Sequence, residues 1–337
     1  MSLIATLQKR IMLLDGAMGT ILQSYRLQEK DFRGARFAAH PVPLHGCYDI
    51  LNITKPQIVS QIHNDYLAAG ADIISTNTFN AQAVSLSMFG LENHVREINL
   101  QAANIARAAA DGYNSRNTGQ TRFVAGIIGP AHTLAYHPHE SLIPGPHPLV
   151  FDDLESVYAQ QAEALMDGGV NLLIAETIFD LLHARAALSA FAKVFSQKGH
   201  SLPVMASLAL AEKNGLLLSG HTEDEFLALV SQRELPLLSV GFNCSPGIAA
   251  AQPHLEKLAA TTPGFVHYCP AAGLPDRRGK YPETPAGMAK AMEQFMKQGL
   301  LNIVGGCCGT TPEYISAMAK QVKKYPPRRP KPAPNLR

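Results

Sequence analysis

The sequence has few cysteines, little net charge and no long apolar run, and each shortage excludes a class of protein. Five cysteines in 337 residues, an odd number at irregular spacing, do not suit a disulfide framework, so reduced thiols are expected. A formal charge of +2 at pH 7 gives no reason to expect a nucleic-acid partner. No stretch approaches the roughly 18 apolar residues of a membrane span, and the first ten residues lack the features of a signal peptide. We therefore expect a cytoplasmic protein without a membrane partner.

Several familiar catalytic motifs are also missing. The sequence contains no nucleophile elbow with a Ser/His/Asp arrangement, no Walker loop and no GxGxxG after a strand. Apolar residues make up 46% of the chain and charged residues 17%, so most of it should fold. The search for chemistry therefore turns to polar and thiol side chains that follow the predicted strands.

Short apolar runs alternate with segments of helical periodicity. Strands are predicted at residues 11–14, 72–76, 123–128, 171–175, 203–208, 237–242, 265–268 and 301–304. Between them apolar residues recur at intervals of three and four, as in residues 154–166, which indicates helices. Eight such units predict an α/β protein whose parallel sheet closes into a (β/α)8 TIM barrel. A doubly wound open sheet is the alternative.

Three segments interrupt this alternation. Residues 20–55 and the Pro- and His-rich residues 131–150 are interpreted as insertions after strands 1 and 3. The histidines of the second insertion are better explained as surface residues than as a metal site; they are His132, His137, His139 and His147. Residues 323–337 are rich in proline and basic residues, which predicts a tail or linker after a single barrel domain of residues 1–322.

Three cysteines follow predicted strands. Cys244 comes after strand 6, and Cys307 and Cys308 come after strand 8, at the edge where barrel enzymes place their active sites. The flanking glycines should allow both adjacent thiols to turn to one ion. Three thiolates on a tetrahedral metal leave one position open, which is typical of a catalytic zinc that takes a substrate heteroatom as its fourth ligand. Inert buried cysteines and a vicinal disulfide are the alternatives, and no role is assigned to Cys47 or Cys269.

Polar residues also follow strands 1 and 4. The turn that contains Gly16 and Gly19 is suited to hold an anion such as a carboxylate on successive backbone N–H groups, with Asp15 beside it to accept from an ammonium group. Glu176 follows an apolar strand, and a buried carboxylate there needs a cationic or N–H partner. An ordinary turn capped by Asp15, and an internal partner for Glu176, are the alternatives.

Taken together, five segments resemble the homocysteine S-methyltransferase family. They are LDGAMGT at residues 14–20, ADIISTNTF at 71–79, ET at 176–177, NC at 243–244 and GGCCGTTP at 305–312. Within the family, residues 25–27, 31–34 and 36–37 resemble the N-terminal homocysteine-binding domain of cobalamin-dependent methionine synthase. The resemblance covers nearly the whole chain, from about residue 10 to about residue 322.

The resemblance implies a zinc-dependent enzyme of methionine biosynthesis, in which the zinc-bound thiolate of homocysteine attacks a methyl group. The implied zinc ligands and catalytic residues are Cys244, Cys307 and Cys308. Homocysteine would bind the metal through sulfur, while backbone amides meet its carboxylate and acidic side chains meet its ammonium group. The residues expected to contact it are Asp15, Gly16, Ala17, Met18, Gly19, Asn77 and Glu176.

The methyl donor implied by this branch is methylcobalamin on a separate corrinoid protein or domain. One alternative is a stand-alone methyltransferase that uses S-methylmethionine or another small donor. Another is a homocysteine-binding module of a split or truncated methionine synthase, inactive without its folate and cobalamin modules. A third is a structural zinc protein. The segment CPAAGLP at residues 269–275 departs from the PNAGLP of this branch, with Ala271 where asparagine is expected.

Overall fold

A computed structural model of the chain describes residues 2–131, 149–211, 215–217, 219–231, 235–244, 247–277 and 279–330. Its strands are β1 (Met12–Leu13), β2 (Ile73–Ser75), β3 (Phe123–Ile128), β4 (Leu172–Ile178), β5 (Val204–Leu208), β6 (Ser239–Asn243), β7 (Phe265–Cys269) and β8 (Ile303–Val304). They pair in parallel in the order β1-β8-β7-β6-β5-β4-β3-β2. A parallel bridge between Leu14 and Ile73 joins β1 to β2 and closes the sheet. The predicted (β/α)8 barrel is confirmed, and the open sheet is wrong.

The strands are the near-continuous apolar runs of the sequence. Every residue of β3, β5, β6 and β7 is buried, as expected for parallel strands covered on both faces. Strand β4 continues beyond its predicted end at Ala175 to Ile178, through a shift in register between these two residues. Such bulges redirect side chains next to active sites, and this one lies at Glu176.

Helices surround the barrel. They are α1 (Leu3–Leu7), α2 (Met18–Ser24), α3 (Glu29–Arg33), α4 (Leu51–Thr54), α5 (Pro56–Ala69), α6 (Ala83–Ser87), α7 (Val95–Arg116), α8 (Phe151–Asp167), α9 (Leu181–Lys198), α10 (Glu223–Ser231), α11 (Ile248–Thr261), α12 (Pro285–Lys297) and α13 (Pro312–Val322). Short 3-10 turns span Tyr48–Ile50 and Glu92–His94. Among the described helices, none has both the length and the apolar character needed to cross a membrane.

The apolar side chains form two layers. One fills the inside of the barrel, with Ile73, Ile174 and Met205 among its members, and the larger one lies between the strands and the outer helices. Leu3 and Leu7 of α1 belong to the inner layer. Because α1 directly precedes β1, it covers the amino-terminal end of the barrel. The predicted polar and thiol site residues lie at the opposite end of the barrel, at the carboxyl ends of the strands.

The segment after β1 folds onto this polar end. The carboxylate of Glu29 accepts hydrogen bonds from the backbone N–H groups of Leu44 at 2.9 Å and His45 at 2.6 Å, which ties α3 to the loop that follows it. Phe32 is buried beneath this loop. Of the predicted insertion after β3, only residues 131, 149 and 150 are described, so its four histidines lie outside the described residues.

The chain after α13 lies against the amino-terminal end of the barrel. Arg328 is buried, and its guanidinium donates to the carbonyl oxygens of Ala259, Thr262 and Gly264 at 2.6–3.1 Å. Its own carbonyl accepts from the side chain of Asn302 at 2.7 Å. The first part of the predicted tail therefore contacts the barrel, while residues 331–337 lie outside the described residues. The domain division at residue 322 stays a prediction.

Candidate active site

Three cysteine sulfurs meet at the carboxyl ends of the strands. Cys244 directly follows β6, and Cys307 and Cys308 lie in the loop between β8 and α13. The Sγ atoms of Cys244 and Cys307 are in direct contact, as a disulfide, and Cys308 Sγ lies 3.2 Å from Cys244 Sγ. All three sulfurs lie within 4.8 Å of one another. The convergence predicted from sequence is thus present, and a metal would need the pair in its reduced form.

Glycines around the cysteine pair have two different functions. Gly309 has a φ of +80°, so it supplies the left-handed conformation that the sequence predicts. Gly305 has no positive φ; a Cβ atom there would lie 2.8 Å from Cβ of Leu14. The prediction that Gly305, Gly306 and Gly309 all permit unusual backbone conformations is correct for Gly309 only. Gly305 and Gly306 are required for space, against Leu14 and Thr310 respectively.

The loop that carries the two cysteines is held from both sides. The N–H of Cys307 donates to the carbonyl of Pro270 at 2.9 Å, and the carbonyl of Cys308 accepts from the N–H of Ala272 at 2.8 Å, both in the loop after β7. On the β1 side, the N–H of Gly309 donates to Thr20 Oγ1 at 3.0 Å. These bonds hold the backbone of the loop that carries both sulfurs.

Two carboxyl groups lie close to the sulfurs. Asp15 follows β1 and is 3% exposed; its oxygens accept from the N–H and hydroxyl of Ser75 at 2.7 and 2.8 Å. Burial raises the pKa of Asp15 to about 7 against the lowering effect of these bonds. Burial, and after it the charge of Asp15, raises the pKa of Glu176 to about 7. Desolvation of the Cys308 sulfur by the surrounding protein, and after it the charge of Glu176, raises the pKa of this thiol, although the residue as a whole is exposed. A cationic group bound here would allow both carboxyls to ionise.

The turn at Gly16–Gly19 is the start of a helix. Neither glycine has a positive φ. Helix α2 begins at Met18 without a side-chain cap, so no capping side chain pairs with the first backbone N–H groups of the helix. The N–H of Ala17 is bonded to the carbonyl of Thr310 at 3.1 Å. The N–H of Ala17 is therefore already paired, and the contact of this turn with a carboxylate stays a prediction.

Asn77 joins the mouth of the barrel to the segment after β1. Its Nδ2 donates to the carbonyl of Tyr48 at 2.9 Å and lies 3.4 Å from Asn52 Oδ1. Its own carbonyl accepts from Asn52 Nδ2 at 2.7 Å. The amide nitrogen of Asn77 thus holds the fold together, and its predicted contact with substrate stays a prediction.

Comparison with known proteins identifies the family to which the chain belongs. The model of the family described as homocysteine S-methyltransferase matches residues 12–322. The chain belongs to this family. It is therefore a methyltransferase, as the resemblance of its motifs implied.

Solved structures of one homocysteine S-methyltransferase share the fold. The metallated form of the homocysteine methyltransferase MmuM from Escherichia coli has 24% sequence identity and a TM-score of 0.69, covering 92% of this chain and 96% of that one. Its oxidized form has 22% identity and a TM-score of 0.69, covering 92% and 95%. Its apo form has 22% identity and a TM-score of 0.65, covering 93% and 96%.

Three residues of the candidate site escaped the sequence predictions. Asn243 hydrogen-bonds to groups on three other segments of the barrel mouth. Thr20 bonds to the cysteine loop and to Tyr281, whose ring packs over Gly309. Asn243 and Thr20 carried a signal, because Asn243 precedes Cys244 in the family-like NC pair and Thr20 ends the family-like segment LDGAMGT. Tyr281 is brought to the site by the fold alone.

The two other cysteines of the chain lie apart from the sulfur cluster. Cys47 is buried, and its burial, followed by the charge of Asp49, raises the pKa of its thiol. Cys269 is buried at the end of β7, and burial, Glu176 and Asp15 together raise the pKa of its thiol well above the ordinary value. Both thiols therefore stay protonated at neutral pH and have the character of packing residues.

Proposed function

We propose that the chain is a zinc-dependent homocysteine S-methyltransferase that forms methionine. The observation that carries this proposal is the meeting of Cys244, Cys307 and Cys308 at the mouth of the barrel beside two carboxyl groups, the buried Asp15 and the half-buried Glu176. The cysteines are suited to hold a metal that binds a thiol, and the carboxyl groups are suited to bind an ammonium group. An amino acid with a terminal thiol presents both.

The donor set fits zinc. Thiolates are the soft ligands that this ion prefers. Zinc–sulfur bonds of about 2.3 Å in a tetrahedron place sulfurs about 3.8 Å apart, and the three sulfurs already lie within 4.8 Å of one another. Cys308 is exposed, which leaves the cluster accessible from the mouth. A reducing compartment such as the cytoplasm would keep Cys244 and Cys307 as the thiols that the metal requires.

The remaining residues would orient the amino acid. Asp15 and Glu176 would ionise around its ammonium group, and the first N–H groups of α2, at Met18 and Gly19, would receive its carboxylate. Zinc, when bound, supplies the charge that holds an incoming thiol as thiolate at neutral pH. The sulfur then forms a bond to the methyl carbon while the donor's bond to that carbon breaks and its electron pair stays with the donor. The proton of the thiol would be lost to solvent when the sulfur binds the metal, so the displacement itself requires little general acid or base.

The proposed donor is methylcobalamin on a corrinoid protein. The resemblance of residues 25–27, 31–34 and 36–37 to the cobalamin-dependent branch supports this donor. Five exposed apolar side chains also lie between the carboxyl end of a strand and the first turn of its outer helix, where a large donor would contact them. They are Tyr25, Met88, Val150, Leu182 and Leu274.

Two experiments test the proposal. Protein purified under reducing conditions should contain zinc, and metal analysis that finds none would contradict the zinc-dependent reaction. Assays with homocysteine and methylcobalamin, free or on a corrinoid protein, should yield methionine. Methyl transfer from S-methylmethionine in the absence of corrinoid would instead support the small-donor alternative. No turnover with any free donor, together with turnover on adding corrinoid protein, would support a module of a split synthase.

A further inference from the structure

Asn243 connects several parts of the candidate site. It is the last residue of β6 and only 1% exposed. Its Oδ1 accepts from the backbone N–H of Thr177 at 3.1 Å and from Ser207 Oγ at 2.8 Å. Because a backbone N–H can only donate, this contact fixes the orientation of the amide. Its Nδ2 therefore faces Thr177 Oγ1 at 2.7 Å and Cys307 Sγ at 3.6 Å.

The residues that Asn243 holds have unusual backbone conformations. Thr177 has a φ of +59° and Cys244 a φ of +45°, in the left-handed region that β-branched and other non-glycine residues rarely adopt. Such conformations persist where the surroundings determine them, and they cluster at functional sites. Thr177 follows Glu176, and Cys244 is a candidate metal ligand. Asn243 bonds to the first and is the sequence neighbour of the second.

We infer that Asn243 is a positioning residue that sets the distance between the metal-binding sulfurs and Glu176, and thereby selects the length of the amino thiol. The inference rests on the proposed function. An N–H donated to the sulfur of Cys307 orients a metal ligand, as groups outside the ligand set commonly do. The same amide fixes Thr177 and, through the chain, Glu176. Homocysteine exceeds cysteine by one methylene, so a fixed distance between sulfur and carboxylate favours one over the other.

The decisive variant is Asn243→Ala, with Asn302→Ala as its matched control. Asn302 is also a fully buried asparagine that joins two segments, accepting from Val266 N at 3.0 Å and donating to the carbonyl of Arg328 at 2.7 Å, but it lies at the opposite end of the barrel. Zinc affinity, measured by competition with a chromophoric chelator, should fall about 10- to 100-fold in Asn243→Ala and stay at the wild-type value in Asn302→Ala. Equal zinc affinities in the two variants would overturn the inference.

A second variant, Thr177→Val, separates the two contacts of Asn243. It removes the hydroxyl that accepts a hydrogen bond from Asn243 Nδ2, while it keeps the β-branched shape of residue 177. The contact between Asn243 Nδ2 and Cys307 Sγ is also kept. Zinc affinity should stay unchanged, while the preference for homocysteine over cysteine, measured by calorimetry on zinc-loaded protein, should fall about tenfold. An unchanged preference for homocysteine over cysteine would overturn the inference that Asn243 selects the length of the amino thiol. Thr177→Val tests this even if Asn243→Ala does not fold.

Failure of the proposed function is distinguishable from failure of the inference. Wild-type protein that binds zinc but neither amino thiol would overturn the proposed function, and length selection with it. The zinc affinities of Asn243→Ala and Asn302→Ala would still decide whether Asn243 positions the metal ligands, because that comparison needs no substrate.

Discussion

Glu176 lies close enough to Asp15 for the charge of Asp15 to add to the effect of burial on its pKa, which rises to about 7. Asp15 is raised to about 7 by its own burial. Both carboxyls therefore carry an energetic cost at neutral pH in the ligand-free protein. A bound ammonium group would remove that cost. The two carboxyls therefore lower the stability of the ligand-free protein and raise its affinity for a ligand with an ammonium group.

The first prediction concerns Glu176→Gln. The ordinary pKa of glutamate is 4.5 and the folded value is about 7, so between these values the unfolded chain ionises the group while the folded protein keeps the proton. Stability is therefore lost as pH rises through this range, and the amide should avoid that loss. Urea unfolding at pH 8 should show a gain of about 1–3 kcal/mol, and calorimetry should show that homocysteine binding weakens more than about tenfold.

Glu155→Gln is the control for this prediction. Hydrogen bonds from Ser189 and then Lys193 lower the pKa of Glu155, so its replacement should not stabilise the protein at pH 8. It should also leave homocysteine binding unchanged. A Glu176→Gln protein no more stable than the wild type at pH 8 would show that the ionised carboxylate is adequately solvated.

The second prediction concerns acid stability. His63 lies in α5, fully buried, and neither ring nitrogen has a hydrogen-bond partner among the described residues. Burial lowers its pKa to about 4. Below the ordinary value of 6.5 the unfolded chain binds a proton that the folded protein refuses, so stability falls as pH decreases from 6.5 toward 4. The difference in the free energy of unfolding between His63→Leu and the wild type should therefore be about 2 kcal/mol more favourable to the variant at pH 5 than at pH 7.

The comparison in this second prediction is between variant and wild type at each pH, measured by urea unfolding. Other groups titrate over the same range; Asp49, whose pKa burial raises to about 7, contributes with the opposite sign. His200→Gln, at an exposed position, is the control and should not change the pH dependence. A His63→Leu protein with the same loss between pH 7 and pH 5 as the wild type would contradict the prediction.

The third prediction concerns the cysteine cluster. Cys308 is exposed, whereas Cys47 is buried, so Cys308→Ser should change stability by less than about 0.5 kcal/mol. Its zinc affinity should nevertheless fall on the order of 100-fold or more, because a metal ligand is lost. Cys47→Ala should show the reverse pattern, with reduced stability and zinc content equal to the wild type. Full zinc content and methyl transfer in Cys308→Ser would contradict the assignment of this residue as a ligand.

Sequence reasoning succeeded where one local pattern determines the outcome. The apolar runs at 123–128 and 203–208 become β3 and β5 because a strand buried on both faces needs little else. The parallel order of the strands then brings Cys244 to Cys307 and Cys308, since all three follow strand ends. The family motifs added the identity of the ligand set, which spacing alone left open.

Sequence reasoning failed where the determinant is a contact between remote segments. The space that requires Gly305 is filled by Leu14, which directly follows β1, and the hydrogen bond from the amide of Asn77 to the carbonyl of Tyr48 had not been predicted. Neither contact has a periodic or compositional signal. The bulge at Glu176 depends on the register with β5, which is set only when the barrel closes.

The last prediction concerns Arg328. It lies in a Pro-rich segment of the sequence that gave no indication of its burial. Its guanidinium donates to carbonyl oxygens at the end of α11 and at the start of β7, where the positive charge also offsets the helix dipole. Arg328→Ala would leave these buried carbonyls without donors and should reduce the free energy of unfolding by about 2–4 kcal/mol. Arg329→Ala, at the exposed neighbouring position, should change it by less than about 0.5 kcal/mol. Zinc affinity should be unaffected in both, because Arg328 lies at the opposite end of the barrel from the cysteines. Equal stabilities of the two variants in urea would show that the segment after α13 contributes nothing to the barrel.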